Sequence, residues 1–159
     1  EAGLLVDAAV SQSEADCERF WGLRDDVEQT LQGGIPLVFD ISLPIVEIEA
    51  YIANLREALP GVVGEHKLWV FGHLGDGNLH VDIQVSPGRA NDLRPRVEEL
   101  VYGPLSAFKG SVSAELGIGL EKRAWLKVSR SEQEIQLMQT LKAALDPAGT
   151  LNPGKIFLP

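Results

Sequence analysis

Asp76-Gly77 lies between two segments of strand composition, Lys67-Leu68-Trp69-Val70-Phe71 and Leu79 to Val85, the second alternating apolar and polar residues. A two-residue type I′ turn needs positive φ at both central positions, and Asp-Gly meets that need, which makes this the strongest short-range hairpin signal a sequence carries. The chain is thereby bound to at least one antiparallel ladder. A turn on these two residues sets Gly75 against Asn78, Leu74 against Leu79 and His73 against His80. Directly opposed residues share a face with Cβ atoms roughly 4.5–5.5 Å apart, so two imidazoles are expected side by side, within reach of one metal ion. The expectation depends on register, because a one-residue slip reverses faces.

Other elements follow from periodicity. Cys17, Phe20, Trp21, Leu23, Val27 and Leu31 have helical spacing, so a helix is expected over Ser13–Leu31, with Ser13 and Asp16 placed like a capping box and Gly33-Gly34 as the stop. Pro36–Ser42 reads as a strand, followed by a helix from Pro44 to about Leu59 that Pro60-Gly61 ends. Beyond the hairpin, helices are expected over Asn91–Phe108, Leu120–Leu126 and Ser131–Leu145, with a turn-rich tail. Strand, helix, strand, strand, helix and an extended piece is the split βαβ order of ferredoxin-like domains. The fold class expected is α+β, an antiparallel sheet with helices packed on one face.

Composition removes several function classes. The 159 residues hold 45% apolar and 23% charged side chains, as one globular domain does, so disorder is excluded. No apolar run approaches the roughly 18 residues of a membrane span, and Glu1 to Asp7 lacks the basic start of a secretory signal. Cys17 stands alone, which rules out an intrachain disulfide and a Cys-based zinc site and points to the cytoplasm. With 23 acidic against 14 basic residues and a net charge of −9, no nucleic-acid partner is expected.

Two imidazoles leave a divalent ion short of ligands, and the remaining choices are Asp, Glu or His66. Glu115 is the preferred third ligand, because Ser111-Val-Ser-Ala-Glu115-Leu-Gly-Ile-Gly119 is a small-residue segment that lets backbone approach closely. Read on this segment alone, Glu115 fits a solvated residue before a helix better than a ligand, and His66 opens a strand at the surface. A two-histidine, one-carboxylate set keeps coordination positions open, as catalytic metal sites do.

Three motifs occur in order along the chain: Gly72-His73-x-Gly-Asp-Gly-Asn78-x-His80, Ser111-Val-Ser-Ala-Glu115-x-Gly-x-Gly, and Leu145-Asp-Pro-x-Gly-x-Leu-Asn152-Pro-Gly-Lys155. Together they resemble the C-terminal domain of the FAD-linked oxidases, the family of D-2-hydroxyglutarate dehydrogenase, D-lactate dehydrogenase and the glycolate oxidase flavoprotein subunit. The resemblance implies that residues 1–159 form a single substrate- and metal-binding domain, with an upstream FAD-binding domain absent from this chain. It implies a D-2-hydroxy acid substrate oxidised to a 2-keto acid by hydride transfer to FAD, a divalent metal (Zn²⁺ preferred, Mn²⁺ or Fe²⁺ alternatives) and the FAD domain of the same polypeptide as partner; a homodimer is carried beside these as an arrangement the sequence does not decide. On the matching positions His73, His80 and Glu115 hold the metal. Arg24, in Trp21-x-x-Arg24, clamps the substrate carboxylate; otherwise it is a surface residue of an amphipathic helix. Asn152 and Lys155 either close over the flavin edge or cap the coil, and Asn78 is a turn residue.

The departures from the family pattern are specific. The family's base, a histidine directly after the metal-binding Glu, is here Leu116, so no catalytic residue is assigned and general-base help worth about 10²–10⁴ in rate is missing from that position. Val38 and Asp82 replace the lysine and asparagine of the dehydrogenases for longer diacids. No flavin-binding fingerprint is present, so the isolated chain is expected to be inactive. A second hypothesis is therefore carried: a non-catalytic metal-binding or interaction module.

Overall fold

The computed structural model describes residue 3 and residues 6–157; Glu1 lies outside these. Helix α1 spans Glu14–Asp25 and is capped by Ser13, whose hydroxyl oxygen accepts from the Asp16 N–H at 3.1 Å. The expected capping box is only half formed, since the Asp16 carboxylate accepts from the Gln12 N–H. Nor does the helix reach Leu31: it ends at Asp25, and a 3₁₀ turn follows at Val27–Leu31. No residue of α1 is buried, and Trp21 is 57% exposed. Periodicity identified a helix here without identifying anything that covers it.

Strand β1 (Leu37–Ser42), helix α2 (Ile48–Val63), strands β2 (His66–His73) and β3 (Asn78–Val85) and helix α3 (Ala90–Tyr102) make the body of the fold. The sheet has the order β1-β3-β2 and is antiparallel throughout, as in a split βαβ unit. Where a further strand would flank β1, the chain forms one bridge, Ser42 N to Ser111 O at 3.0 Å and Ser111 N to Ser42 O at 2.8 Å. The expected α+β fold is observed. α2 runs through Pro60 to Val63, because burial of Val63 compensates for the missing N–H near the helix end. The helix expected to reach Phe108 stops at Tyr102 and passes into a 3₁₀ turn, Gly103–Ser106, that buries Leu105. Instead of a helix over 120–126, a 3₁₀ turn at Arg123–Trp125 leads into the short helix α4 (Leu126–Ser129). A complete capping box opens α5 (Glu132–Leu145), with Ser131 and Glu134.

The pleat sorts the sheet into two faces. Leu37, Phe39, Ile41, Leu79, Val81 and Ile83 pack against Tyr51, Leu55, Leu59 and Val63 of α2 and Leu93, Val97 and Val101 of α3. Phe39 meets Tyr102 edge to face at 5.4 Å, and Tyr51 donates its hydroxyl to the Val101 carbonyl at 2.8 Å. The opposite face carries Asp40, Asn78, His80, Asp82 and Gln84. Asp40, Asn78, Asp82 and Gln84 are buried although polar.

The hairpin corrects the expected turn. Its loop has four residues, Leu74 to Gly77, and closes on His73 and Asn78. Of the Asp-Gly pair only Gly77 takes positive φ (72°). The extra length has identifiable bonds: the Asp76 carboxylate accepts from Asn78 N at 3.0 Å, and the Gly77 carbonyl accepts from Leu43 N at 3.0 Å. A Cβ on Gly77 would lie 2.0 Å from the Leu43 oxygen, so this docking requires glycine. The register consequently shifts by two residues, setting His73 against Asn78 and His80 against Phe71. A shift of two preserves faces, and the histidines become diagonal neighbours on the same side.

Candidate metal centre

Both rings project from the polar face at the hairpin end of the sheet. Their centroids are 5.7 Å apart and their planes nearly perpendicular (82°). Phe71 lies beside His80 at 5.3 Å, within β2–β3 pairing. Glu115 reaches between the rings, with Oε1 3.0 Å from His73 Nε2 and Oε2 3.8 Å from His80 Nε2. One ligand atom from each of the three lies within 4.8 Å of the other two. Two imidazole nitrogens and a carboxylate oxygen, all partly open to solvent, match the donor set and the vacant coordination positions of a divalent metal site. The sequence-predicted trio is therefore brought together, by a diagonal contact instead of an opposed one.

Glu115 lies in an irregular segment, and its placement comes from β1. Asp40 Oδ2 accepts three consecutive backbone N–H groups, from Ala114 (3.2 Å), Glu115 (3.0 Å) and Leu116 (2.9 Å). Lys122 supports the same carboxylate from behind: its Nζ donates to the Asp40 carbonyl at 2.9 Å and lies 3.6 Å from Oδ2. Burial pushes the Lys122 ammonium below its ordinary pKa, and Asp40 opposes that shift. Val112 N, bonded to Ser129 Oγ at 2.8 Å, ties the segment to α4. The sequence reading missed Asp40 and Lys122. The available signal was the lone charge in Leu37-Val-Phe-Asp40-Ile-Ser42, a strand otherwise uncharged.

A cleft of about 680 Å³ opens beside the trio, lined by His73, His80, Trp69, Phe71 and the segment Leu23–Val27. Arg24 therefore shares the cleft with both histidines. Its Nη1 donates to Asp25 Oδ1 at 2.6 Å, and its guanidinium stacks 5.5 Å from the Trp21 ring centre. An adjoining lobe of about 380 Å³ is walled by Val27, Leu31, Val38 and Phe71, with Glu28 and Asp82 as its acids and no Lys or Arg. Burial raises the Asp82 carboxyl above its ordinary pKa, opposed by a hydrogen bond from Thr30.

Three other sequence-predicted positions fare differently. Asn78 is not a turn residue: it begins β3, is 2% exposed, and neither polar atom of its amide has a hydrogen-bond partner. Asn152 and Lys155 are exposed and line neither cavity described above. They close a turn, Lys155 N to Asn152 O at 3.3 Å, in a tail held by Arg123 Nη1 on the Gly154 carbonyl at 2.6 Å. Leu116 bonds through its backbone to Asp40 and leaves its side chain exposed, and His66 binds the Gly64 carbonyl at the far end of β2.

Among the described residues no helix is long and apolar enough to cross a membrane. The sequence model of the family described as FAD linked oxidases, C-terminal domain, matches residues 1–156. The D-2-hydroxyglutarate dehydrogenase of Stutzerimonas stutzeri is 37% identical over 166 residues, covering 99% of this chain and 35% of the relative. The mitochondrial D-2-hydroxyglutarate dehydrogenase of Danio rerio is 39% identical over 159 residues, 97% of this chain and 28% of its own, and that of Arabidopsis thaliana is 37% identical with 99% and 28% covered. The chain thus spans about a third or less of the length of these relatives.

Proposed function

The chain belongs to the family of FAD linked oxidase C-terminal domains, and from that membership we propose that it is the substrate- and metal-binding part of a larger FAD-dependent D-2-hydroxy acid dehydrogenase, working with a flavin domain of the same polypeptide. The observation that carries this reading is the convergence of His73, His80 and Glu115, two of which, the histidines, line a cleft that Arg24 also lines. When bound, FAD supplies the hydride acceptor, and a divalent cation held by His73, His80 and Glu115 supplies Lewis-acid polarisation of the 2-hydroxyl. Arg24 pairs with the substrate carboxylate after exchanging its Asp25 contact, a planar guanidinium being suited to two-point binding. Trp69 and Phe71 give the cleft an apolar wall that restricts water and orients the acid. Leu116 takes no proton. The acceptors this chain offers at the cleft and its lobe are the carboxylates of Asp25, Asp26, Glu28 and Asp82.

The relatives named above carry D-2-hydroxyglutarate in their names. In this chain the lining of the lobe beside His80 has acids and no Lys or Arg, so a second carboxylate there would take its counter-charge from beyond that lining. D-lactate, D-2-hydroxyglutarate and glycolate are thus the substrates to compare. The position of Leu116 favours one other reading, a metal-binding module without turnover. The test is anaerobic reduction of the full-length flavoprotein by each acid. Bleaching of the flavin by one of them, lost in His73→Ala, supports the dehydrogenase; a flavin that none of them bleaches leaves the module.

A further inference from the structure

Asp40 lies against two of the three members of the trio, Glu115 and His80, and the function proposed above gives it no part. It lies on β1 directly across from His80 in the ladder and is 3% exposed. One of its oxygens, Oδ2, collects the N–H groups of residues 114–116, the backbone that carries Glu115. The other, Oδ1, is buried without a hydrogen-bond partner and faces His80 Nδ1 at 4.0 Å. The same imidazole turns its Nε2 toward Glu115. A neutral imidazole has one N–H and one lone pair, and a carboxylate beside Nδ1 stabilises the tautomer with hydrogen on Nδ1, which leaves the Nε2 lone pair for a metal. A lone buried carboxylate would be costly, and Lys122 provides the opposite charge from the far side.

We infer that Asp40 is the positioning residue of the metal centre, one oxygen fixing the backbone of Glu115 and the other selecting the His80 tautomer whose Nε2 can bind a divalent cation. This rests on the reading of the trio as a metal site. Asp40 is buried and lines neither cavity; it acts through two ligands that the sequence separates widely.

The chain has three histidines, so ¹⁵N-histidine labelling of the full chain gives a spectrum in which each ring can be assigned. In metal-free protein at pH 8, His80 is expected to carry its hydrogen on Nδ1. Hydrogen on Nε2 overturns the inference without any variant. In Asp40→Asn the amide oxygen can still accept from residues 114–116, which turns the NH₂ group toward His80 as a donor. The tautomer should then reverse, and the affinity for Zn²⁺ alone, measured by calorimetry, should fall by about 10- to 100-fold with the circular dichroism unchanged. A purely structural role for Asp40 would not reverse a tautomer. If the variant unfolds, Asp40→Asn combined with Lys122→Met removes the lysine left without its counter-charge, and the same two measurements apply. An Asp40→Asn protein that binds Zn²⁺ within twofold of the parent overturns the inference alone. A parent chain that binds no divalent cation overturns it together with the metal reading on which it rests.

Discussion

The Glu115 carboxylate stands 3.0 Å from Nε2 of His73, although one residue belongs to an irregular segment beyond α3 and the other ends β2. Both side chains are more than a third exposed. An exposed pair of this kind contributes about 0–1 kcal/mol, too little to choose the geometry. The choice is made beneath the pair, where three backbone N–H groups converge on Asp40.

The trio should take up one divalent ion per chain. Elemental analysis after Zn²⁺ loading and gel filtration is expected to give one metal in the parent and none in His80→Ala or Glu115→Ala. Binding to the folded state alone adds about 2.7 kcal/mol at a free concentration a hundred times Kd, so zinc should raise the parent's Tm and leave that of the variants in place.

Gly72 has backbone where a side chain would be. A Cβ there would come 2.2 Å from the Asn78 oxygen at a φ of 154°. Gly72→Ala should destabilise the hairpin by about 2–4 kcal/mol in urea unfolding. Gly61→Ala in α2, with nothing within 4 Å of the added carbon, should be neutral or gain up to about 1 kcal/mol.

Arg24 projects from a helix with no buried residue, so its removal should leave the fold intact. Losing one charge-assisted hydrogen-bonding partner of the substrate, worth about 1.5–3 kcal/mol, predicts a fall in kcat/KM of about 10- to 100-fold for Arg24→Ala in the full-length flavoprotein. Arg24→Lys should recover only part of it, because an ammonium cannot bind a carboxylate at two points in one plane. Unchanged kinetics in both variants would remove Arg24 from the site.

Asp146 sets a pH dependence at the C-terminal end. The hydrogen bond from Lys142 leads the causes that lower its pKa from 3.8 to about 2, and the N–H groups of Thr150 and Leu151 add to it. A depressed folded-state pKa means the stabilisation is present above about pH 4 and is lost as pH falls toward 2. The urea midpoint should therefore drop across that window in the parent. Asp146→Asn should be less stable at pH 6 and show a flatter profile between pH 4 and 2.

How much could be read beforehand differs from residue to residue. The strand and helix around Phe39 and Tyr51 were legible because alternation and helical spacing are local properties. The helix after Ser13 was legible as a helix, but its length was not, since no burial extends it past Asp25. Asn152 and Lys155 carried a motif whose place away from the cleft depends on how Arg123 and Gly119 tie down the tail. Asp40 was overlooked because its partners are remote: the N–H groups it satisfies belong to a segment more than seventy positions away.

By itself the sequence determined that a reversal forms near Asp76-Gly77 and that His73 and His80 share a face, because side chains in a strand repeat every two residues and a two-residue shift leaves that parity unchanged. Tertiary structure decided which residues oppose which, since Leu43 takes the Gly77 carbonyl and lengthens the loop. It also decided that a glutamate from elsewhere reaches the pair. Local pattern is set by the backbone's own geometry, whereas the meeting of distant segments is set by buried polar groups that seek partners, and here Oδ2 of Asp40 meets the N–H groups of residues 114–116.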